Sequence, residues 1–346
     1  MKKIYLNRFF STAYYLIEWL KRGGFYVIAS GVSDSTVYKN IADEYFVEDN
    51  LSGVEERGIV DYYTLVLNEH KPDAFLPYSN LETIVRHKAD IERDTGVKII
   101  ADDFSVVGAT FAKSGTYTRL KNLCPEFIPP YFIAETRAEF ENAVREISEY
   151  ARPCFKFDTD IGAGSFRVID DVFFAVDEFP PPLPNLKTTY NAALKGYNGE
   201  RVIVMPYMSE PEISVDCLRT PNGNIIIPRV KRGGRIEQIG YDREIMLAAK
   251  KILGSFRPEY PFNIQFRFFK DELKLLEINP RLSGSSHISA QAGNVNIPAI
   301  AARKALDLPV RYEGKFDMHE KFFSYVEMPV DVTDKPNTNT EYKKRV

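Results

Sequence analysis

At 346 residues, 44% hydrophobic and 27% charged, the chain is long enough to bury a large core and to divide into two or three domains. Its 45 basic and 48 acidic residues leave a net charge of −3, which gives no reason to expect nucleic acid as a partner. No apolar run reaches membrane-spanning length, and Met1 to Leu6 leads into a strand pattern and not a secretory leader, so a cytoplasmic protein is expected.

Lys3 to Leu6 reads as a strand, Ser11-Thr12 as a helix start, Ala13 to Lys21 as a helix stopped by Gly23-Gly24, and Phe25 to Ser30 as a second strand. Ala74 to Pro77 and Val97 to Ile100 repeat the strand theme, with a helix from Leu81 to Thr95 between them. Strands separated by helices imply a parallel, doubly wound sheet. The first strand is followed by Asn7-Arg8-Phe9-Phe10 and not by G-x-G-x-x-G, which weighs against dinucleotide binding. Asn7 and Arg8 fall where open α/β sheets offer ligands a crevice.

Val106 to Asn122 has a helical pattern, Pro129 to Ile133 reads as a short strand, and Thr136 to Tyr150 as an amphipathic helix with Thr136 and Glu139 as a capping box. Cys154-Phe155-Lys156-Phe157 is a strand whose buried aromatic face would turn Lys156 the other way. It leads into a loop, Asp158 to Ser165, containing Gly162 and Gly164. Phe179 to Pro184 is a proline-rich connector, and Val202 to Met205 and Glu212 to Leu218 are strands. Arg229, Lys231, Arg232 and Arg235 form a basic segment, either a solvated hairpin or a holder for a carboxylate. Asp242 to Leu253 and Pro298 to Leu306 read as helices, and Asp334 to Val346 as a frayed polar tail. Cys124, Cys154 and Cys217 match no zinc or redox spacing and are expected as buried thiols.

The most informative stretch is Asn263 to Arg267 followed by Leu275 to Ser285, two alternating runs joined by a turn at Lys270-Asp271-Glu272. Pairing centred on Asp271 sets Phe269 against Leu273, Arg267 against Leu275, Gln265 against Glu277 and Asn263 against Asn279. One face then gathers a carboxylate and carboxamides, oxygen ligands suited to Mg²⁺ shared with phosphates. Arg281, just beyond, would serve the same phosphates as a forked donor.

In this order of parts the chain resembles the ATP-grasp superfamily, and within it the carbamoyl-phosphate synthase large-subunit halves and small carboxylate–amine ligases. The resemblance implies a mixed α/β and α+β fold: a Rossmann-like domain at 1–105, a first ATP-grasp part with the mobile phosphate loop at 106–205, a C-terminal lobe with the metal site at 206–330, and a flexible tail at 331–346. It places Gln265, Glu277 and Asn279 as ligands of one or two Mg²⁺ ions, with Mn²⁺ as a substitute. Arg281, Lys156 and Lys113 become the phosphate-facing catalytic cations. ATP would contact Lys113, Lys156, the loop residues Gly162, Gly164 and Ser165, the connector residues Met205, Tyr207 and Met208, and Glu212 at the ribose. Pro206 has no N–H, so the backbone of Tyr207 or Met208 is the expected adenine contact. Gln265, where many ligases carry an acid, points to the carbamoyl-phosphate-synthase-like branch.

The activity the resemblance implies is ADP-forming ligation of a small or peptide-like carboxylate to an amine or ammonia through an acyl phosphate. A carbamate or acyl kinase and a non-catalytic ATP-binding module are the alternatives. Arg229, Lys231, Ser283 and Ser285 are the candidate substrate residues, with His287 more readily a structural histidine than a base. A homodimer is the family-level expectation for assembly, with no membrane partner.

Overall fold

The computed structural model describes residues 1–159, 164–169, 187–188, 193, 196–233, 235–310, 319–326 and 329–333. Gly162, Gly234, the proline-rich stretch 179–184 and the tail 334–346 lie outside the described residues.

The N-terminal part is a five-stranded parallel sheet of order β3-β2-β1-β4-β5, made of β1 (Lys3–Leu6), β2 (Tyr26–Gly31), β3 (Glu44–Val47), β4 (Ala74–Leu76) and β5 (Lys98–Ile99). The doubly wound reading holds, with β3 added at the edge. Helix α1 (Ala13–Arg22) buries Ala13, Leu16, Ile17 and Leu20, the spacing of one helical face, against one side of the sheet. Helix α2 (Glu56–His70) covers the other side with α3 (Leu81–Arg86) and α4 (Lys88–Thr95). The single helix expected over 81–95 is thus broken at His87, which leaves helical geometry at φ −107° and hydrogen-bonds Glu56 on α2.

A second break matters more. The helix expected over 106–122 divides into α5 (Phe104–Phe111) and α6 (Lys113–Leu120), because Ala112 is extended. Lys113 therefore opens a helix and does not lie along one.

Two antiparallel sheets follow. The first has order β6-β10-β7-β8-β9, from β6 (Phe132–Ala134), β7 (Pro153–Phe157), β8 (Arg167–Ile169), β9 (Lys187–Thr188) and β10 (Val202–Pro206); only its β8–β9 pairing is parallel. Helix α7 (Arg137–Ser148) packs on it, and its start carries the expected capping box of Thr136 and Glu139. The second sheet has order β15-β14-β11-β12-β13-β16: β11 (Ser209–Thr220), β12 (Gly223–Lys231), β13 (Ile236–Ile239), β14 (Phe262–Phe269), β15 (Glu272–Asn279) and β16 (Lys321–Ser324). Helix α8 (Arg243–Phe256), capped by the Asp242 side chain, packs into its core together with Tyr117 and Leu120 of α6. Helices α9 (Ser286–Gly293) and α10 (Ile297–Ala305) join the core of α1 and the parallel sheet, so the C-terminal part is anchored on the N-terminal one. The three cysteines are free and buried. Among the described residues no helix is long and apolar enough to cross a membrane.

Candidate functional site

The β14–β15 hairpin builds the floor of a cleft between the two antiparallel sheets. Its turn has two residues, Lys270 and Asp271, both left-handed at φ 50° and 61°, so Phe269 pairs with Glu272. Arg267 accordingly faces Lys274 and Phe268 faces Leu273, one residue away from the pairing expected from the sequence. A slip of one would turn every side chain to the wrong face. Leu276 absorbs it as a bulge, and from there Gln265 faces Glu277 and Asn263 faces Asn279, as the alternation predicts.

Tyr117 on α6 fixes the bulge. Its fully buried hydroxyl donates to the carbonyls of Leu276 (2.9 Å) and Leu275 (3.1 Å). Tyr117→Phe would leave buried carbonyls unsatisfied and should cost about 1–3 kcal/mol of stability. Urea denaturation measures this, and an unchanged midpoint would contradict the role assigned to the hydroxyl.

Lys156 and Cys154 share the cleft side of β7, while Phe155 and Phe157 pack with Phe140 of α7 on the other. Lys156 is buried, and its ammonium donates to Glu277 Oε2 at 3.3 Å, joining the two sheets across the cleft. Lys113 is positioned by Asp158, just past β7: the Asp158 carbonyl accepts from Lys113 N at 3.1 Å, and its carboxylate accepts from Ser114 N at 2.8 Å and from the Ser114 hydroxyl. A carboxylate from another strand thus caps the start of α6. The sequence reading passed over Asp158 as loop; its only local signal is acidity beside a strand end.

Burial raises the Glu277 pKa, but Lys156 and Lys113 outweigh it and hold the carboxyl below its ordinary range. Asn279 Nδ2 donates to Glu277 Oε1 at 3.3 Å, and Arg281 donates to Asn279 Oδ1 at 3.2 Å. Gln265 Nε2 donates to Asn263 Oδ1 at 3.4 Å, leaving its carbonyl end for a cation. One carboxylate and two amide oxygens fit Mg²⁺ that takes its remaining ligands from phosphates and water. They do not fit a cation held by protein alone, and among the described residues no three His, Cys, Asp or Glu side chains gather for that purpose.

A cavity of about 300 Å³ runs from this floor. Lys113, Lys156, Gln265 and Glu277 line it together with Met205, Tyr207, Met208, Arg267, Glu212 and Lys231. The Tyr207 N–H is already given to the Arg152 carbonyl at 2.7 Å, so of the two expected adenine contacts it is the one engaged within the protein. Burial raises the Glu212 pKa, but Lys231 and Arg267 reverse this and keep its carboxylate ionised. Arg267 also donates to the Met208 carbonyl at 3.4 Å, a pairing that the sequence reading did not anticipate. Of the loop residues, Ser165 accepts the Phe157 N–H at 2.8 Å, and Gly164 accepts from Arg167 through its carbonyl at 3.1 Å.

The expected substrate residues divide. Lys231 lines the cavity, but Arg229 points into the sheet and is 1% exposed. It donates to Asp216 (3.0 Å), Glu237 (2.6 Å), Ser289 (2.9 Å), Ser214 (3.0 Å) and Ser283 (3.0 Å). This replaces the surface carboxylate holder expected from the sequence with a buried brace, because two acids on neighbouring strands neutralise the guanidinium. Ser283 is spent on Asp216 and Arg229, and Ser285 on Tyr325. His287 stacks on Tyr15 at 4.2 Å; burial, then Arg229, pushes its pKa down to about 4, leaving it neutral near pH 7. Asn7 is fully buried and braces the loop after β4, donating to the Ser79 carbonyl at 2.9 Å and accepting from Tyr78 N at 2.6 Å. Arg8 lies beside Glu48 at 3.5 Å.

A parallel-sheet domain followed by two antiparallel sheets that clasp a lysine- and carboxamide-lined cleft defines the ATP-grasp fold. Residues 198–325, which hold the hairpin, match the family described as ATP-grasp in the biosynthetic pathway with Ter operon. Among solved structures the chain is similar to the biotin carboxylase domain dimer of Hydrogenobacter thermophilus 2-oxoglutarate carboxylase, in complex with MgADP, ADP and bicarbonate: 20% identity, 90% of this chain and 71% of that one, TM-score 0.64. It is similar to N5-carboxyaminoimidazole synthetase from Staphylococcus aureus complexed with ADP: 12% identity, 90% and 78% covered, TM-score 0.67. It is also similar to L-amino acid ligase from Bacillus licheniformis: 13% identity, 92% and 78% covered, TM-score 0.67. At these identities the likeness is one of fold.

Proposed function

We propose that the protein is an ATP-dependent, ADP-forming ligase that joins a small carboxylate to an amine or ammonia through an acyl phosphate. The observation that carries this reading is the meeting of Lys113, Lys156, Gln265 and Glu277 in one cavity with Met205, Tyr207, Met208 and Glu212, and the hydrogen bonds that join Asn279 and Arg281 to Glu277. The nucleotide-bound relatives of the same fold support it.

In the reaction a carboxylate oxygen bonds to the γ-phosphorus as the β–γ bridging P–O bond breaks, releasing ADP. The amine nitrogen then bonds to the acyl carbon, phosphate departs with the C–O bonding pair, and the nitrogen gives up a proton. Mg²⁺ held by Gln265, Glu277 and Asn279 would supply charge neutralisation to the phosphates. Lys113 and Lys156 place fixed positive charge at the phosphate end, and Arg281 offers a forked donor to the transferred group. Phosphoryl transfer asks for this positioning more than for a nucleophilic side chain. Glu212 serves the ribose hydroxyls, and the Met208 backbone the base. The three buried thiols suit a reducing cytoplasm, and assembly as a homodimer is part of the proposal.

The test is ADP release from Mg²⁺-ATP across a panel of carboxylates and amines, with hydroxylamine present to trap the acyl phosphate as a hydroxamate. Substrate-dependent ADP and hydroxamate are expected. AMP with pyrophosphate, or no carboxylate-stimulated turnover, would overturn the ligase reading.

A further inference from the structure

The cleft has a second chamber of about 370 Å³, which shares Lys113 and Glu277 with the first and is also lined by Arg281 and Tyr78. These two residues come from distant parts of the chain: Arg281 follows β15, whereas Tyr78 lies in the loop after β4 of the parallel sheet. The Arg281 guanidinium lies over the Tyr78 ring, 4.2 Å from its centroid. Its hydrogen bonds are few and long, from Nη1 to the Leu282 carbonyl at 3.3 Å and from Nη2 to Asn279 Oδ1 at 3.2 Å. Both acceptors are uncharged, and among the described residues no carboxylate forms an ion pair with Arg281.

An arginine aimed at a phosphoryl group has conflicting needs. Its long side chain must be held in one place, yet a carboxylate that held it would cancel the charge it brings to the phosphate. Arg229 shows that outcome, enclosed by Asp216 and Glu237. An aromatic face meets both needs, because its quadrupole attracts the cation and leaves the in-plane N–H groups able to donate. The ring is itself anchored. Tyr78 N donates to Asn7 Oδ1 at 2.6 Å, and the fully buried Asn7 donates in turn to the Tyr63 hydroxyl and the Ser79 carbonyl, each at 2.9 Å. Phe9 and Phe10, just after β1, pack on the Tyr78 ring with centroids 4.0 Å and 5.2 Å away. The Tyr78 hydroxyl, by contrast, is buried with no hydrogen-bond partner, so the part of this side chain that the structure uses is the ring.

We propose that Tyr78 is a positioning residue for phosphoryl transfer: its ring, carried by the N-terminal sheet, holds the Arg281 guanidinium in the chamber it shares with Lys113 and Glu277 without neutralising it. The inference rests on the role given above to Arg281 at the transferred phosphoryl group. It assigns the N-terminal sheet a part in the chemical step, although none of residues 1–105 lines the cavity that holds Met205, Tyr207 and Met208. Loss of the ring leaves the donors of Arg281 in place and frees their orientation, so the effect falls on kcat and on binding of a transferring phosphoryl group, and not on binding of ATP.

The experiment uses the full chain and two readouts. One is kcat for ADP formation with a carboxylate that yields hydroxamate in the panel above. The other is the Kd of Mg²⁺-ADP with and without fluoroaluminate, a mimic of the transferring phosphoryl group that needs no carboxylate. Tyr78→Phe removes only an unpaired hydroxyl and should keep kcat within about twofold and Tm at or above that of the wild type. Tyr78→Leu should lower kcat about tenfold and weaken the tightening of ADP by fluoroaluminate by a similar factor, with the Kd for Mg²⁺-ATP unchanged. Phenylalanine carrying one, two and then three ring fluorines at position 78 keeps the shape while withdrawing electron density from the face under Arg281, so both readouts should fall stepwise. That series decides the matter should Tyr78→Leu fail to fold. A loss in Tyr78→Phe as large as in Tyr78→Leu, or readouts indifferent to fluorination, would overturn this inference and leave the ligase reading standing. Absence of hydroxamate from every carboxylate would overturn the ligase reading, while the fluoroaluminate readout still decides the role of Tyr78. Wild-type ADP binding that fluoroaluminate does not tighten would remove Arg281 from the transferred phosphoryl group, and this inference with it.

Discussion

Glu277→Gln and Glu277→Ala are expected to lower the rate of Mg²⁺-dependent ADP formation by at least a hundredfold. The carboxylate is the only anionic oxygen in the set Gln265, Glu277 and Asn279, so its loss removes the charge that draws a divalent ion to the floor of the cleft. It also strips Lys156, 6% exposed, of the partner 3.3 Å away. Loss of one charged group aimed at the transferring phosphoryl is worth roughly 3 kcal/mol of barrier, about the stated factor. The two variants separate the effects. The glutamine keeps shape and a hydrogen-bond acceptor for Lys156, so thermal stability should fall less than in the alanine while turnover falls in both. A Mg²⁺ titration of kcat is the measurement, and wild-type Mg²⁺-dependent turnover in Glu277→Gln would remove Glu277 from the metal site.

Arg229→Met should instead act on stability, with a loss of about 3–5 kcal/mol in urea denaturation. The guanidinium is enclosed with Asp216 and Glu237 and also donates to three serines, Ser214, Ser283 and Ser289, while Asn263 donates to the same Asp216 carboxylate. Removing it leaves two buried carboxylates without a cation, which is far more costly than losing a surface pair. Had Arg229 held a substrate carboxylate, the variant would keep its stability and lose kcat/KM. A variant with the wild-type denaturation midpoint and a raised KM would restore that role. Ser283 belongs to the same brace, so truncating it should weaken stability in the same direction and by less.

Both predictions rest on features that the sequence displayed unequally. The alternation around Asn263 to Phe269 and Leu273 to Asn279 gave the hairpin, and the pairs Gln265–Glu277 and Asn263–Asn279 survive in the fold. Near the turn the same alternation misleads by one residue, since neither the two-residue turn nor the bulge at Leu276 leaves a periodic mark. Lys156 between two phenylalanines was legible because a strand has only two faces. The helix break at Ala112 was not, because the residues on either side keep helical spacing and the cap on Ser114 comes from Asp158, 44 residues further along the chain. Arg229 was misread for a related reason: a basic run with glycines looks solvated until strands β11 and β13 bring Asp216 and Glu237 to it.

The sequence by itself determined the parallel-sheet domain, the β14–β15 hairpin and the composition of the phosphate end, because these follow from periodicity and from residue chemistry within a few positions. Only the tertiary structure decided which cations reach the cleft. Lys156 meets Glu277 across two sheets with Lys113 lining the same cavity, and Arg229 is neutralised inside one of those sheets. Charge and hydrogen-bond satisfaction depend on who lies within a few ångströms in space, and no local pattern in the chain encodes that.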